Sequence, residues 1–331
     1  MLHATCATAS TRCAPGPDGV GRVAIVEDGR HLGHFSEGHP ERPDRVETIR
    51  AHLSSSPAMR ALARLPAEAV DDDVLLRVHS QQHLDRVAAL CAAGGGSFDL
   101  DTYATAFSDK AARISAGGAV RAVDAVVVEG FDASFAVVRP PGHHATTGSA
   151  MGFCVYNNVA VAVEHARATL GIARCAIVDI DVHHGNGSEA TFWNDPAVLY
   201  TSLHEYPFYP GTGALADRGG PGAEGLTVNV PLAAGTSAAT WLQGFDDAVL
   251  PALRAFEPEL IVVSCGFDAH RDDPLADLRL DTATYAAVAE RLASLTALPA
   301  AGRTVWVLEG GYDLDALTAS TQAVLDALIA A

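Results

Sequence analysis

The 331-residue sequence predicts a single α/β domain, with an open, mostly parallel sheet of about eight strands and helices on both faces. The first supporting observation is that short apolar runs rich in Val and Ile alternate with stretches of helical periodicity, the pattern of repeated β-α units. The second is that no composition break, long linker or internal repeat divides the chain. We therefore expect one domain over residues 22–331. A poorly ordered extension over residues 1–21, without the apolar segment of a secretory signal, is expected before it.

The predicted strands are apolar runs of the kind found in parallel sheets that are buried on both faces. They cover residues 23–26, 134–138, 175–181, 197–203, 226–231, 259–266 and 304–308. The helical stretches cover residues 43–53, 74–93, 110–129, 157–170, 238–255, 283–296 and 314–328. The alternation predicts that helices cover both faces of one sheet.

Composition excludes several classes of protein. Apolar residues make up 49% and charged residues 19% of the chain, which is typical of a globular domain. The net charge is −18, and Lys110 is the only lysine, so binding of nucleic acid through a basic face is not expected. This acidity could favour cationic substrates, although solubility is its commoner cause. No apolar run approaches the roughly 20 residues of a membrane span. The six cysteines include no C-x-x-C pair, as expected of reduced thiols in a cytoplasmic protein.

Polar residues and glycines follow five of the predicted strands at the point where each strand ends. The segments are R-P-P-G-H-H (139–144), D-I-D-V-H-H-G-N-G (179–187), S-L-H (202–204), C-G-F-D-A-H (265–270) and E-G-G-Y (309–312). Because open α/β sheets bind ligands at the carboxyl ends of their strands, these segments predict one shared site.

The segment over residues 179–187 carries the strongest signal for a metal. Side chains alternate along a strand, so Asp179, Asp181 and His183 are expected to share one face. Two carboxylates and an imidazole suit a hard or borderline divalent metal. With Asp268 from another strand end, Asp181 and His183 could supply three ligands of a catalytic zinc and leave a further position open.

The remaining polar groups suit acid-base chemistry. The tandem His143-His144 could supply a general base, and Asp179 could orient one of these imidazoles. Tyr312, on a turn preceded by two glycines, could donate a hydrogen bond to a developing oxyanion. Each residue alone has a commoner structural explanation, such as a helix cap or a core aromatic. Five strand ends that all carry such groups favour a catalytic site.

The motifs together resemble one known family. R-P-P-G-H-H-A, G-F-C-x-x-N-N-V-A, D-I-D-V-H-H-G-N-G, S-L-H, P-G-T-G, G-F-D-A-H-x-x-D-P-L and E-G-G-Y follow H-P-E-R-P-D-R (39–45) in one order. In this order they resemble the histone deacetylase and acetylpolyamine amidohydrolase superfamily, over nearly the whole chain from residue 23. H-H-G-N-G and E-G-G-Y resemble its class II and bacterial members.

The resemblance implies the arginase/deacetylase fold and a zinc-dependent hydrolase of linear amide bonds. The reaction would remove acetyl or other acyl groups from acetyl-lysine or a similar acylated amine. One zinc would bind Asp181, His183 and Asp268. His144, with Asn186 behind it, would be the general base, His143 would be paired with Asp179, and Tyr312 would be the oxyanion donor. An arginine near an inner acetate channel would correspond to Arg45.

The resemblance also implies structural potassium and a substrate tunnel. One potassium would involve Asp179, Asp181, His183, Ser202 and Leu203, and a second Phe192, Asp195 and Val198. The substrate-binding residues would be Phe153 and Tyr209 as tunnel walls, with Gly152, Leu275 and, at the rim, Asp101. A polyamine-selective relative has Glu where this chain has Leu275. An apolar side chain there offers no partner for a buried ammonium, so acyl-lysine is favoured and acetylpolyamine hydrolysis is the alternative.

Two other functions have less support in the sequence. The arginase-like binuclear manganese hydrolases need further bridging carboxylates, and here Ala269-His270 follows Asp268 and Gly185 follows the two histidines. A non-catalytic acetyl-lysine binding protein would lack a catalytic residue, and none is missing from this set. The expected partner is an acylated amine, with neither nucleic acid nor membrane. A homo-oligomer, dimer or tetramer, is expected from the resemblance.

Overall fold

The computed structural model of the chain describes residues 21–331, so the extension expected over residues 1–21 lies outside the described residues except for Gly21. The strands are β1 (Val23–Glu27), β2 (Ala63–Pro66), β3 (Gly95–Ser97), β4 (Tyr103–Thr105), β5 (Ala133–Val137), β6 (Cys175–Asp179), β7 (Val198–Glu205), β8 (Thr227–Leu232), β9 (Leu260–Cys265) and β10 (Thr304–Leu308). Eight of them form one sheet in the order β2-β1-β5-β10-β9-β6-β7-β8, and β3 pairs with β4 in a hairpin. All pairs in the large sheet are parallel.

The helices cover both faces of this sheet. They are α1 (Asp44–Ser55), α2 (Pro57–Arg60), α3 (Asp72–Leu75), α4 (Gln81–Ala92), α5 (Ser108–Val127), α6 (Asn158–Leu170), α7 (Asn186–Phe192), α8 (Ala238–Gly244), α9 (Leu250–Phe256), α10 (Thr282–Ala293) and α11 (Leu314–Ala330). A 3-10 turn spans Arg30–Gly33, and a π-helical turn, Phe245–Val249, joins α8 to α9. The predicted fold class is therefore confirmed.

Two hydrophobic cores lie on opposite faces of the sheet. Trp306 and Leu308 of β10 pack into a core with side chains of α1, α10 and α11. Val305 and Val307 of the same strand pack into a core with side chains of α4, α5 and α6. All five residues of β10 are buried, because successive side chains point to opposite faces and each face is covered. This double burial explains why the central strands appear in the sequence as continuous apolar runs.

The strand order places the five polar strand ends side by side. β5, β10, β9, β6 and β7 are consecutive neighbours in the sheet, and these are the strands that the five polar segments follow. Since all run in the same direction, their carboxyl ends meet at one edge. The predicted rim is therefore continuous.

Several predicted boundaries are wrong. Strand β6 ends at Asp179, so Asp181 and His183 lie in the following loop and do not owe their positions to strand alternation. The helix predicted over residues 74–93 is two helices, α3 and α4, and Ser80 caps the second by accepting a hydrogen bond from the His83 N–H. β2 is a half-buried edge strand with no apolar run, and α7 is a short, glycine-containing helix. Neither has a sequence pattern that predicts it.

A buried ion pair ties the loop before α1 to the end of β5. Glu41 and Arg139 are both fully buried, and the guanidinium donates to both carboxylate oxygens, at 2.7 Å to Oε1 and 2.5 Å to Oε2. Burial alone would raise the pKa of Glu41, but Arg139 and His34 hold it well below its ordinary value. Such a pair is stable only when its charges are compensated. The Glu41–Arg139 pair brings α1, and with it Arg45, against the edge of the sheet where the strands end.

The sequence predicts no membrane-spanning segment and reduced cysteines, and the structure bears on both. Among residues 21–331, none of the helices has the length and apolarity needed to cross a bilayer. The cysteines in this part of the chain, Cys91, Cys154, Cys175 and Cys265, are buried free thiols.

A candidate metal and catalytic site at the sheet edge

A cavity of about 220 Å³ opens at the carboxyl edge of the sheet. Its walls bring together loops that follow β5, β6, β7, β9 and β10. The lining residues are Asp101, Pro141, His143, His144, Gly152, Phe153, Asp181, His183, Phe208, Tyr209, Leu275, Gly310 and Tyr312. All five residues expected to contact substrate are among them, as are both histidines of the tandem pair.

Three groups at this edge of the sheet have the geometry of metal ligands, and two of them, Asp181 and His183, line the cavity. Asp181, His183 and Asp268 each offer one ligand atom, and these atoms lie within 4.8 Å of one another. Nδ1 of His183 is 3.1 Å from Asp181 Oδ1 and 3.1 Å from Asp268 Oδ2. Atoms spaced in this way can share one ion at the roughly 2 Å distances of zinc ligation. Two carboxylates and an imidazole also suit the chemistry of a borderline divalent metal.

Backbone N–H groups hold the two carboxylates of this triad in place. Asp181 Oδ2 accepts a hydrogen bond from the Gly310 N–H at 2.8 Å, and Asp268 Oδ1 accepts one from the Val182 N–H at 2.9 Å. Each carboxylate therefore turns one oxygen to the backbone and the other to His183. Such outer hydrogen bonds fix the direction of metal ligands. Asp181 and Asp268 are fully buried, and burial together with the charge of Asp181 raises the pKa of Asp268 to about 7. A divalent cation would relieve this repulsion.

The tandem histidines have opposite electrostatic environments. Burial disfavours the charged form of His143, but Asp179, 3.0 Å away from its Nδ1, and Asp181 outweigh it and raise the pKa to about 10. Burial and the neighbouring charge of His143 lower the pKa of His144 well below its ordinary value. The two ring centroids are only 4.0 Å apart, so one charge suppresses the other. The pair therefore consists of a cationic His143 and a neutral His144.

The hydrogen-bond partner of His144 determines its tautomer. Nδ1 lies 2.8 Å from Oδ1 of Asn186, and an amide oxygen can only accept. The neutral ring therefore carries its proton on Nδ1, and the lone pair on Nε2 is free for a proton from a cavity group. Asn186 lies behind His144, as the resemblance implies, at the first residue of α7.

Aromatic rings form the walls of the cavity. Tyr209 meets His144 edge to face at 5.2 Å between centroids, and Phe153 meets Tyr312 in the same way at 5.8 Å. Phe208 stacks on the ring of His183, with centroids 5.5 Å apart and planes 19° apart. Sequence reasoning missed Phe208, because nothing in the sequence indicates which ring of the Phe208-Tyr209 pair faces a ligand.

The wall at Phe153 has a strained backbone. Phe153 adopts φ 66°, and Gly152 before it φ 56°, a region that non-glycine residues seldom occupy. The Phe153 N–H donates to the Thr102 hydroxyl at 3.0 Å, which anchors this conformation to the hairpin β3-β4. A Cβ on Gly152 would collide with the His144 ring. Gly152 is therefore required for the close approach of the wall to His144.

Tyr312 is held from behind by Arg45. The Arg45 guanidinium lies 4.8 Å from the centroid of the Tyr312 ring. It also donates to the carbonyl oxygens of Gly311, at 2.7 Å, and Glu309. Glu309, a buried residue that sequence reasoning did not select, accepts hydrogen bonds from the N–H groups of Gly142 and His143 at 2.6 and 3.1 Å. Its place in E-G-G-Y at a strand end was the available signal.

Of the residues expected at the potassium sites, Asp181 and His183 line this cavity and the others do not. Asp179 is paired in register with Ser202 where β6 ends, so Asp179, Ser202 and Leu203 are buried beneath the metal triad. Phe192, Asp195 and Val198 form the turn between α7 and β7, where the Asp195 N–H donates to the Phe192 carbonyl at 3.0 Å. His204, which ends the S-L-H motif, does not reach the cavity. Its ring is bound to Ser202 Oγ and the Gly213 carbonyl.

Comparison with known proteins identifies the family. Residues 39–328 match the family model of the histone deacetylase domain. The chain belongs to the histone deacetylase family. A probable deacetylase of Methanothermobacter thermautotrophicus is 41% identical over 311 residues, covering 92% of this chain and 90% of that protein. A histone deacetylase-like amidohydrolase of Pseudomonas aeruginosa is 41% identical over 276 residues, covering 83% and 73%.

A solved structure supports the same assignment. The crystal structure of the HDA15 HD domain is similar to this chain with a TM-score of 0.88 and 38% sequence identity, covering 93% of this chain and 91% of that one. The predicted family resemblance is thereby confirmed.

We predict that Gly310→Ala reduces the metal affinity of this histone deacetylase family member at least tenfold, about 1.4 kcal/mol. A Cβ on Gly310 would collide with Asp268 Oδ2 and crowd Asp181 Oδ2, so the triad cannot keep its spacing. Titration of the metal-free protein with Zn²⁺, followed by calorimetry, measures the change. Gly148→Ala is the matched control, because a Cβ there meets nothing within 4 Å. Equal affinities for the two variants would contradict the assigned triad.

Proposed function

We propose that the protein is a zinc-dependent amidohydrolase that removes acetyl or other acyl groups from acetyl-lysine or a similar acylated amine. The observation that carries this proposal is the convergence, at one edge of the sheet, of the metal-ligand triad, the tandem histidines with opposed pKa values and Tyr312. Of the triad, Asp181 and His183 line the same cavity as the two histidines and Tyr312. Membership of the histone deacetylase family supports the reaction class.

Asp181, His183 and Asp268 would hold one zinc. Zinc at this position would polarise the amide carbonyl of the substrate and bring the pKa of a bound water toward about 7. The three side chains would contribute a fixed ligand geometry, since backbone N–H groups anchor both carboxylates. Phe208, stacked on His183, would limit the access of bulk water to that ligand.

His144 would act as the general base and then as the general acid. Its neutral state and the protonated Nδ1 leave Nε2 able to take a proton from the attacking water. The same nitrogen would return the proton to the leaving amine. His143, held cationic by Asp179, would not accept a proton at neutral pH. Its positive charge would instead stabilise negative charge that develops on the substrate.

Tyr312 would donate a hydrogen bond from its hydroxyl to the oxyanion. The residue lines the cavity beside Gly310, whose N–H holds the triad residue Asp181. The Arg45 guanidinium behind the ring opposes the effect of burial, which raises the pKa of the Tyr312 hydroxyl well above its ordinary value. The hydroxyl therefore stays protonated and able to donate at neutral pH.

The walls of the cavity suit an unbranched aliphatic stem. Phe153 and Tyr209 present aromatic rings, and Leu275 adds an apolar side chain. An ammonium group at this depth would lose its hydration without gaining a carboxylate partner at Leu275. The carboxylate of Asp101 is at the rim, where it could accept a hydrogen bond from a substrate N–H group. This distribution favours acyl-lysine over an acetylated polyamine.

The metal set supports a mononuclear hydrolase over a binuclear one. Within the described residues, Asp181, His183 and Asp268 are the one group of three or more potential ligands. His270, where a second metal would need a carboxylate, lies against Asp272 and Thr282 instead. A non-catalytic acetyl-lysine binding role is disfavoured by the complete acid-base set.

The other expectations stay proposals. One potassium ion would be held by Asp179, Asp181, His183, Ser202 and Leu203, and a second by Phe192, Asp195 and Val198. The Asp195 carboxylate is paired with Arg167 at 2.7 Å, and the Asp195 carbonyl accepts a hydrogen bond from the Val198 N–H at 3.3 Å. We also propose a cytoplasmic protein that acts on an acylated amine, binds neither nucleic acid nor membrane, and assembles as a dimer or tetramer.

We predict that the zinc-loaded protein hydrolyses an acetyl-lysine peptide and that Tyr312→Phe lowers kcat about 100- to 1000-fold, with KM within about threefold, because only the oxyanion donor is lost. Steady-state kinetics with fluorogenic acetyl-lysine peptides measures both constants. Tyr206→Phe, which removes a hydroxyl outside the cavity, is the control and should leave kcat unchanged. Hydrolysis by Tyr312→Phe at the wild-type rate would contradict the role of Tyr312. A zinc-loaded wild type that cleaves no acylated amine would contradict the proposed function.

We predict that kcat/KM for an acetyl-lysine peptide exceeds that for an acetylspermidine at physiological salt. Leu275→Glu should shift this ratio at least tenfold toward the polyamine by giving its second ammonium a carboxylate partner. Leu215→Glu adds the same charge at an exposed position outside the cavity. It should leave the ratio unchanged, since diffuse charge acts only through screened long-range forces. A tenfold preference of the wild type for the polyamine would favour the alternative function, acetylpolyamine amidohydrolysis.

A further inference from the structure

Asp273 lies between two loops of the cavity without lining it. The carboxylate is buried, with 6% of the residue exposed. Oδ2 accepts hydrogen bonds from the N–H groups of Tyr312, at 2.7 Å, and Asp313, at 3.3 Å, and Oδ1 accepts one from the N–H of Leu275 at 3.0 Å. One side chain therefore binds the backbone of both the oxyanion donor and the apolar wall.

The backbone around Tyr312 needs such an anchor. Tyr312 follows Gly310 and Gly311, and Gly311 adopts φ 115°, which glycine reaches without strain. At the start of the segment between β10 and α11, the Glu309 N–H donates to the Cys265 carbonyl and the Gly310 carbonyl accepts from the Phe267 N–H, both at 3.0 Å. Further along, the N–H groups of Tyr312 and Asp313 donate to Asp273. These hydrogen bonds extend the connection to the loop after β9 as far as Tyr312 itself, where Arg45 and Phe153 contact only the ring.

The three backbone hydrogen bonds fix the orientation of the Asp273 carboxyl group. Burial raises the pKa of this group above its ordinary value, although the three N–H groups and the nearby Arg45 guanidinium oppose the effect. A carboxylate that accepts several backbone hydrogen bonds is held in one orientation. The neighbouring Asp272 has a different environment, because its side chain is 66% exposed and faces His270.

We propose that Asp273 is a positioning residue that sets the place of the Tyr312 hydroxyl relative to the acyl carbonyl of the substrate. The role rests on the proposed function, in which that hydroxyl stabilises the oxyanion. Asp273 itself touches neither substrate nor metal ligands, so its effect on catalysis passes through Tyr312. The hydrogen bond from the Leu275 N–H holds the apolar wall of the cavity in a fixed position relative to the Tyr312 hydroxyl.

A double-mutant cycle separates this role from general support of the fold. Asp273→Asn keeps the shape of the side chain but replaces one acceptor oxygen with an NH₂ group, which cannot accept from a backbone N–H. We expect kcat to fall about 10- to 100-fold in the otherwise wild-type protein, since a small misplacement of a catalytic group costs rates of this order. In the Tyr312→Phe background the same substitution should lower kcat less than about threefold, because the hydroxyl it positions is already absent.

The controls fix the interpretation. Zinc content and thermal midpoint are measured for each variant, and Asp272→Asn should leave kcat unchanged. If Asp273→Asn does not fold, the same cycle is run with Asp273→Glu, which keeps the charge and displaces the acceptor oxygens by one methylene. Equal fold losses of kcat in both backgrounds, or no loss in either, would overturn the positioning role while an active wild type leaves the proposed function standing. A zinc-loaded wild type without amidohydrolase activity would overturn the proposed function, and this role with it.

Discussion

Carboxylates at the ends of neighbouring strands bind the backbone N–H groups of one another's loops, and the site depends on these hydrogen bonds. Asp268 after β9 accepts from Val182 in the loop after β6, and Asp181 in that loop accepts from Gly310 after β10. Glu309 at the end of β10 accepts from Gly142 and His143 after β5. Asp273, further along the loop after β9, accepts from Tyr312.

The parallel sheet makes this arrangement possible. Strands β5, β10, β9 and β6 are adjacent and end at the same edge, so each loop has a neighbour within hydrogen-bond distance. Burying an unpaired carboxylate would be costly, whereas one that accepts backbone N–H groups is stabilised. The same groups leave an excess of negative charge at the centre. That excess accounts for the cationic state of His143 and suits a divalent ion on the triad.

The sequence predicts the fold class and most of the cavity because the signals are local. An apolar run followed by Asp, His or Gly marks the end of a strand, and parallel strands place such ends together. For this reason the sequence predicts Asp181, His183 and Asp268 as one ligand set, although Asp268 lies 87 positions after Asp181. It could not give the strand order, which arises from long-range packing of the helices on both faces.

The residues that sequence reasoning missed act through tertiary contacts. Phe208 matters because it stacks on His183, and no pattern around Y-P-F-Y-P indicates which ring does so. Glu309 and Asp273 matter because of the N–H groups they meet in distant loops. The end of β6 was placed two residues too late for a related reason. The strand ends at Asp179, and in the loop after it Asp181 accepts a hydrogen bond from the Gly310 N–H, a contact that the strand pattern does not reveal.

The most direct test of the account is the metal content of the active protein. The protein is stripped with a chelator, dialysed and titrated with Zn²⁺ or Mn²⁺, while bound metal and hydrolysis of an acetyl-lysine peptide are measured together. A mononuclear site predicts that activity is lost on stripping and returns in proportion to bound zinc, with a plateau at one zinc per chain. Activity that survives stripping, or that needs two manganese ions per chain, would contradict the account.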